Sequence, residues 1–210
     1  MAVTTTSRFR SFAVRYNIGI LSSILLAASL VFYINAERIR AITNSNNPDA
    51  FASGDIVTIK EAIDGDDLLI EKEGVLTNLR LLGIESFNPT VSDPLLSEYG
   101  QICFQYIQSR MEGKQARLEV PEKRTGGKGR LLGTLYAQDE AGKYTVDLGL
   151  ELISKGYSLA YTRYDFKLMS QYLAAEQKAR NAHEGFWSNE RIAARAASMR
   201  KLWEEEKLND

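Results

Sequence analysis

"IDGDDLLIEKEGVLTNLRLLGIESFN", Ile63 to Asn88, decides how this chain is read. Two turn signals, "DGD" at Asp64–Asp66 and "EG" at Glu73–Gly74, bound apolar runs short enough to be strands. Working outwards, strands are expected over Ile56–Ala62, Leu68–Lys72 and Leu76–Ile84, a meander of hairpins. Asp64 stands sixteen residues before Arg80, and Glu85 follows Arg80 by five, so carboxylates bracket a cation on an apolar run.

Beyond Asn88, Ser97–Met111 has helical spacing, with Tyr99, Ile102, Cys103, Tyr106 and Ile107 on one stripe. Another strand is expected at Ala116–Val120, then the glycine-rich loop "TGGKG", then a strand at Arg130–Ala137. Helices follow at Asp147–Lys155, ended by Gly156 as a left-handed cap, and at Lys167–Asn181. The expected fold class is α+β: a five-stranded barrel, which hides its sheet edges, with helices packed on it.

A chain of 210 residues that is 44% hydrophobic and 25% charged can bury a core, and its length suits one domain with extensions. The single cysteine, Cys103, excludes an intrachain disulfide and a cysteine-built metal site, and counts against redox chemistry. The net charge of −1 conceals a division along the chain. Residues 1–49 carry five Lys/Arg against two Asp/Glu, residues 50–187 carry 16 against 20, and residues 188–210 carry five of each. The acidic balance of the central block counts against a nonspecific binder of nucleic acid, whose affinity rests on neutralised phosphates.

Ile18–Ala36, "IGILSSILLAASLVFYINA", has nineteen residues without a charge, close to the roughly 20 that cross a ~30 Å hydrocarbon core. It is expected to be a transmembrane helix, with Tyr16, Phe32 and Tyr33 suited to an interfacial belt. The other reading is a cleaved signal peptide, but the run exceeds the roughly 7–15 residues of such regions. Arg8, Arg10 and Arg15 precede the segment, with Glu37, Arg38 and Arg40 after it. Positive-inside bias then leaves the N-terminus on the side of synthesis. "MAVTTTSRFRSFAVRYN" is also rich in Arg, Ser and Thr and free of acids, as mitochondrial targeting segments are, so the expected location is a single-pass mitochondrial inner-membrane protein. The expected organisation is a basic segment at 1–17, the span at 18–36, a linker at 37–53, a folded domain at 54–188 and a C-terminal extension at 189–210.

The motifs "AIDGDDLLI", "LRLLGIES", "YGQ" at Tyr99–Gln101, "GRLLGTLY" at Gly129–Tyr136, "LELISKGYSLAY" and "AEQKARNAHEGFWS" together resemble the staphylococcal nuclease-like, or thermonuclease, family, over residues 54–188. No gap is needed from Asp66 to Tyr99. The resemblance implies an oligonucleotide-binding-type barrel and calcium as cofactor, with Asp66 and Glu85 as its ligands. It implies that Arg80 and Arg130 hold the phosphate, that the general base falls on position 88, and that Tyr161 and Tyr164 are candidates to stack on substrate. The chain departs from the family's pattern where it matters most. Asn88 stands in place of the base Glu, and an amide cannot take a proton from water near neutral pH, a loss of roughly 100- to 10,000-fold in rate. Phe87 replaces the proline before the base, and Gly126 and Lys128 replace the common Asp and Tyr of the second loop.

Each feature has a plainer reading. "DGD" can be only a hairpin turn, and the two arginines can be structural partners of Asp66 or Glu85. Asp93 can be a substitute base or an ordinary loop acid; His183 suits a helix end, and tyrosines are common on barrel surfaces. In the tail, Ile192, Ala196, Met199 and Trp203 recur at helical spacing, giving an amphipathic helix that either folds back on the barrel or docks another protein subunit. The favoured function is a membrane-anchored, catalytically impaired nuclease-like domain serving as an accessory or scaffold subunit; the alternative is a calcium-dependent endonuclease cleaving DNA or RNA.

Overall fold

The computed structural model describes residues 22–35 and 47–209. Helix α1, residues 22–35, is exposed and uncharged, with Leu26 75% and Phe32 77% accessible. Its fourteen residues span about 21 Å at 1.5 Å per residue. Among the described residues no helix is long and apolar enough to cross a membrane. Ile18–Leu21 and Ala36 of the expected span lie outside the described residues, as do the basic segment 1–17 and the first part of the linker, 37–46.

The folded part is built on a closed barrel. Strands β1 (Ile56–Ala62), β2 (Asp67–Lys72) and β3 (Val75–Leu81) form an antiparallel meander, and β1 continues to β5 (Gln115–Glu119) and β6 (Leu131–Gln138). A parallel pairing of β3 with β6, Leu79 opposite Leu131, closes the five strands. The closure buries Val57, Ile59, Leu68, Ile70, Leu79, Leu118, Leu131 and Leu135 in one core, leaving no edge between β3 and β6. Between β2 and β3 the turn residues Glu73 and Gly74 have φ of 50° and 82°, the positive pair that a two-residue hairpin matched to strand twist demands.

The expected strand Leu76–Ile84 is in fact two. After β3 the chain turns at Gly83 (φ 78°) and leaves the barrel, and β4 (Ile84–Ser86) pairs instead with β8 (Ser158–Ala160). A further strand, β7 (Tyr144–Asp147), extends the sheet beyond β6. Helix α2 (Pro94–Met111) starts three residues before the expected Ser97, because Asp93 caps it by accepting from the Leu95 and Leu96 amides and Pro94 occupies the first turn. Helix α3 (Leu148–Ser154) is capped by Asp147, and α4 (Met169–Asn181) begins two residues after the expected Lys167. The apolar faces of α2 and α3, through Cys103, Ile107, Leu148 and Leu152, complete the barrel core.

Helix α5 (Glu190–Asn209) resolves the choice left open for the tail. Ile192, Ala196 and Trp203 are buried with Phe87, Leu159, Phe186 and Trp187 in a second apolar cluster, and Met199 packs against it. The stripe is therefore covered by its own domain. Glu176 anchors the arrangement: it accepts from the Ala160 amide (2.7 Å) and from Arg200 of α5 (2.5 Å).

Candidate functional site

The barrel rim collects the charged residues by register. Across the two-residue hairpin Asp67 lies opposite Arg80, and Arg130 stands immediately before β6, whose Leu132 lies opposite Arg80 on the other side. The "DGD" turn is drawn onto this rim from below. Asp64 Oδ1 accepts from the amides of Asp66 (2.9 Å) and Asp67 (2.7 Å), closing the turn on itself. A Cβ on Gly65 would stand 2.5 Å from Ser86 Oγ and 2.9 Å from Cys103 Sγ, so only glycine lets the turn lie against β4 and α2. Asp66 is thereby buried at 2% exposure, its Oδ2 accepting from the Ser86 amide (3.0 Å). Cys103 serves the turn as a packed thiol; burial pushes it up to about 12, which removes thiolate chemistry at neutral pH.

Arg80 is the hub. It donates to both oxygens of Asp66 (3.0 and 2.8 Å), to Asp67 Oδ2 (3.3 Å) and to Glu85 Oε2 (2.5 Å). Arg130 donates to the same Asp67 Oδ2. Three carboxylates, Asp66, Asp67 and Glu85, thus meet two guanidinium groups. Burial pushes Asp66 well above the usual carboxylate range against the pull of Arg80, and raises Asp67 and Glu85 for the same reason. Burial works against the Arg80 cation, but Asp66, Glu85 and Asp67 outweigh it and hold it charged.

This donor set fits a hard divalent cation. Oxygens of Asp64, Asp66 and Asp67 lie within 4.8 Å of one another, and Asp67 Oδ1 is buried without a hydrogen-bond partner. Sequence reasoning named Asp66 and Glu85 as the ligands; the structure groups Asp66 with Asp64 and Asp67 and turns Glu85 onto Arg80. Asp67 was missed, although counting back from the "EG" turn places it directly opposite Arg80.

The other end of the cleft differs in kind. Asn88 is exposed, and its Oδ1 accepts from the amide (2.8 Å) and hydroxyl (2.7 Å) of Thr90, a local turn. Asp93, besides capping α2, pairs with Arg191. Burial opposes it, yet the Leu96 and Leu95 amides and Arg191 hold its carboxyl below the usual range. Tyr161 and Tyr164 stand on the wall of the same cleft, an open volume of about 1230 Å³ that also takes in Asp66, Arg80, Asn88 and Arg130. Tyr161 is fixed edge-on against Trp203 of α5 (4.8 Å between centroids), a support with no signal in the sequence. Tyr164 is 52% exposed, with Arg163 and Lys123 over its ring at 5.3 and 5.7 Å. His183, with φ 55°, ends α4 and takes no part in the cleft.

Comparison with known proteins agrees with this architecture. The family described as "Staphylococcal nuclease homologue" matches residues 78–189. The thermonuclease of Staphylococcus hyicus is 23% identical over 128 residues, 60% of this chain and 72% of the relative. The thermonuclease of Staphylococcus intermedius is 25% identical over 87 residues, 41% of this chain and 52% of the relative. With the matched segment running from Asn78 on β3 through the closing strand and α4 to Asn189, more than half the chain, the protein belongs to the staphylococcal nuclease homologue family.

Proposed function

We propose that the chain is a nuclease-fold module that keeps the phosphate-holding end of a phosphodiesterase cleft and lacks the proton acceptor at the other end. It is tethered to a membrane through residues 18–36 and serves as an accessory or scaffold subunit of a membrane complex, in the mitochondrial inner membrane. The observation that carries this reading is Asn88: at the position of the base stands an amide whose oxygen already accepts two hydrogen bonds from Thr90. Arg80 and Arg130 are placed to hold a phosphate, and Asp64, Asp66 and Asp67 to hold calcium. Bound there, the ion would neutralise phosphate charge and polarise the phosphoryl group. Without a base, water is not activated. The uncharged run at 18–36 and the exposed apolar helix within it support the tether.

A second reading, a calcium-dependent endonuclease like the thermonucleases it resembles, is favoured by the three-carboxylate group and the intact arginine pair. Cleavage of single-stranded DNA and RNA by the 210-residue chain, with calcium or with chelator, separates the two. No cleavage by the wild type, with a gain of about 100- to 10,000-fold in Asn88→Glu, supports the impaired module. Calcium-dependent cutting by the wild type that Arg80→Ala abolishes assigns the endonuclease.

A further inference from the structure

We propose that Asp67 is an internal counter-anion that holds the arginine pair closed, so that phosphate reaches Arg80 and Arg130 only when a divalent cation engages Asp67 from its other side. The inference rests on the reading of the cleft as a phosphate site. Its starting point is that one oxygen, Asp67 Oδ2, accepts from both arginines, bridging the two guanidinium groups as a phosphate oxygen would. Two strand pairings converge on that point: β2 supplies Asp67 with Arg80 of β3 opposite it, and the β3–β6 closure brings up Arg130. The contact is therefore a property of the barrel register.

The second oxygen shows what opens it. Asp67 is 7% exposed and its Oδ1 is buried without a hydrogen-bond partner; one carboxylate oxygen each of Asp64, Asp66 and Asp67 lie within 4.8 Å of one another. An unpaired buried acceptor is costly, and a cation would relieve that cost. An oxygen left bare beside two other carboxylates is a ligand position for a hard cation. Charge points the same way. Counted formally, Asp66, Asp67 and Glu85 outnumber Arg80 and Arg130, an acidic balance that a divalent cation would offset before a phosphate enters. A cation engaging Asp67 would withdraw charge from the bridge at Oδ2 and so release the guanidinium groups to an incoming anion. Binding of cation and phosphate is thus coupled through a single side chain, and the coupling is reciprocal.

The test is binding of a fluorescein-labelled dithymidylate, by anisotropy, to the 210-residue chain in detergent, with calcium or with chelator, beside Asp67→Asn. Calcium should tighten binding to the wild type by about 10-fold or more, within the usual range of such couplings. Asp67→Asn should bind in chelator about 10-fold more tightly than the wild type does, and calcium should add little. Equal weakness of both proteins in chelator, with calcium still tightening the wild type, overturns the gate and leaves the cleft reading standing. No binding by either protein under either condition overturns both. Thermal melting checks the fold, and Asp67→Ser carries the same comparison if the asparagine variant does not fold.

Discussion

The two ends of the cleft are built by different means. At one end Asp66, Asp67, Arg80 and Arg130 are set by strand pairing across β2, β3 and β6, and their charges are half-buried or buried. At the other, Asn88 to Asp93 is a run of local turns and a helix cap, in which side chains bond to residues two or three positions away. The difference teaches where such a site can change without loss of fold. Replacing a group in the network strands buried charge, whereas Asn88 hangs on an exposed loop whose geometry is settled by Thr90 and Pro89, so the base position is free to drift.

That contrast is open to direct attack. The largest effect is expected from Asn88→Glu, which should raise phosphodiester cleavage by about 100- to 10,000-fold in steady-state assays; an unchanged rate would mean that the loop no longer aims position 88 at the phosphate. Arg80→Ala should then cost about 3–5 kcal/mol in urea denaturation, because Asp66, Asp67 and Glu85 lose their common partner, while the same truncation at exposed Arg191 should lie near zero. Trp203→Ala should cost about 3 kcal/mol and loosen Tyr161, seen as a change in tyrosine fluorescence; a loss under 1 kcal/mol would show that α5 adds little to the cleft wall.

Acidity sharpens the comparison further. Asp66, Asp67 and Glu85 are all raised in the folded protein, mainly by burial, so they take up protons above the usual carboxylate range. A raised acid contributes stability at low pH that is lost as pH rises through its folded value. The cation-free protein should therefore gain stability as pH falls through the range just above the usual carboxylate values, while calcium affinity falls in the same window, by up to about tenfold per pH unit for each proton displaced. Calorimetric titration at several pH values checks both signs. A small effect is expected of Asp93→Ala: about 1 kcal/mol from the lost cap of α2, with no change in the cleavage rate of Asn88→Glu.

Much of the site could be read from the chain. The "DGD" turn, Arg80, Glu85, Arg130 and the amide at position 88 stand in local motifs, and Asp67 opposite Arg80 follows from the two-residue turn at Glu73–Gly74. Less legible was what Glu85 does. Five residues beyond Arg80 it could be a metal ligand or a partner for the arginine, and the break at Gly83, which moves β4 out of the barrel, turns it onto Arg80.

By itself the sequence determined the strands of the barrel and the charged residues of its rim, because each depends on residue type and on neighbours a few positions away. Only the tertiary structure decided that β3 closes on β6, that one oxygen of Asp67 bridges Arg80 and Arg130, and that Trp203 of α5 supports Tyr161. Those contacts join segments 42 to 63 residues apart, and pairing at that range is chosen by the fit of whole faces in the core, which no local pattern records.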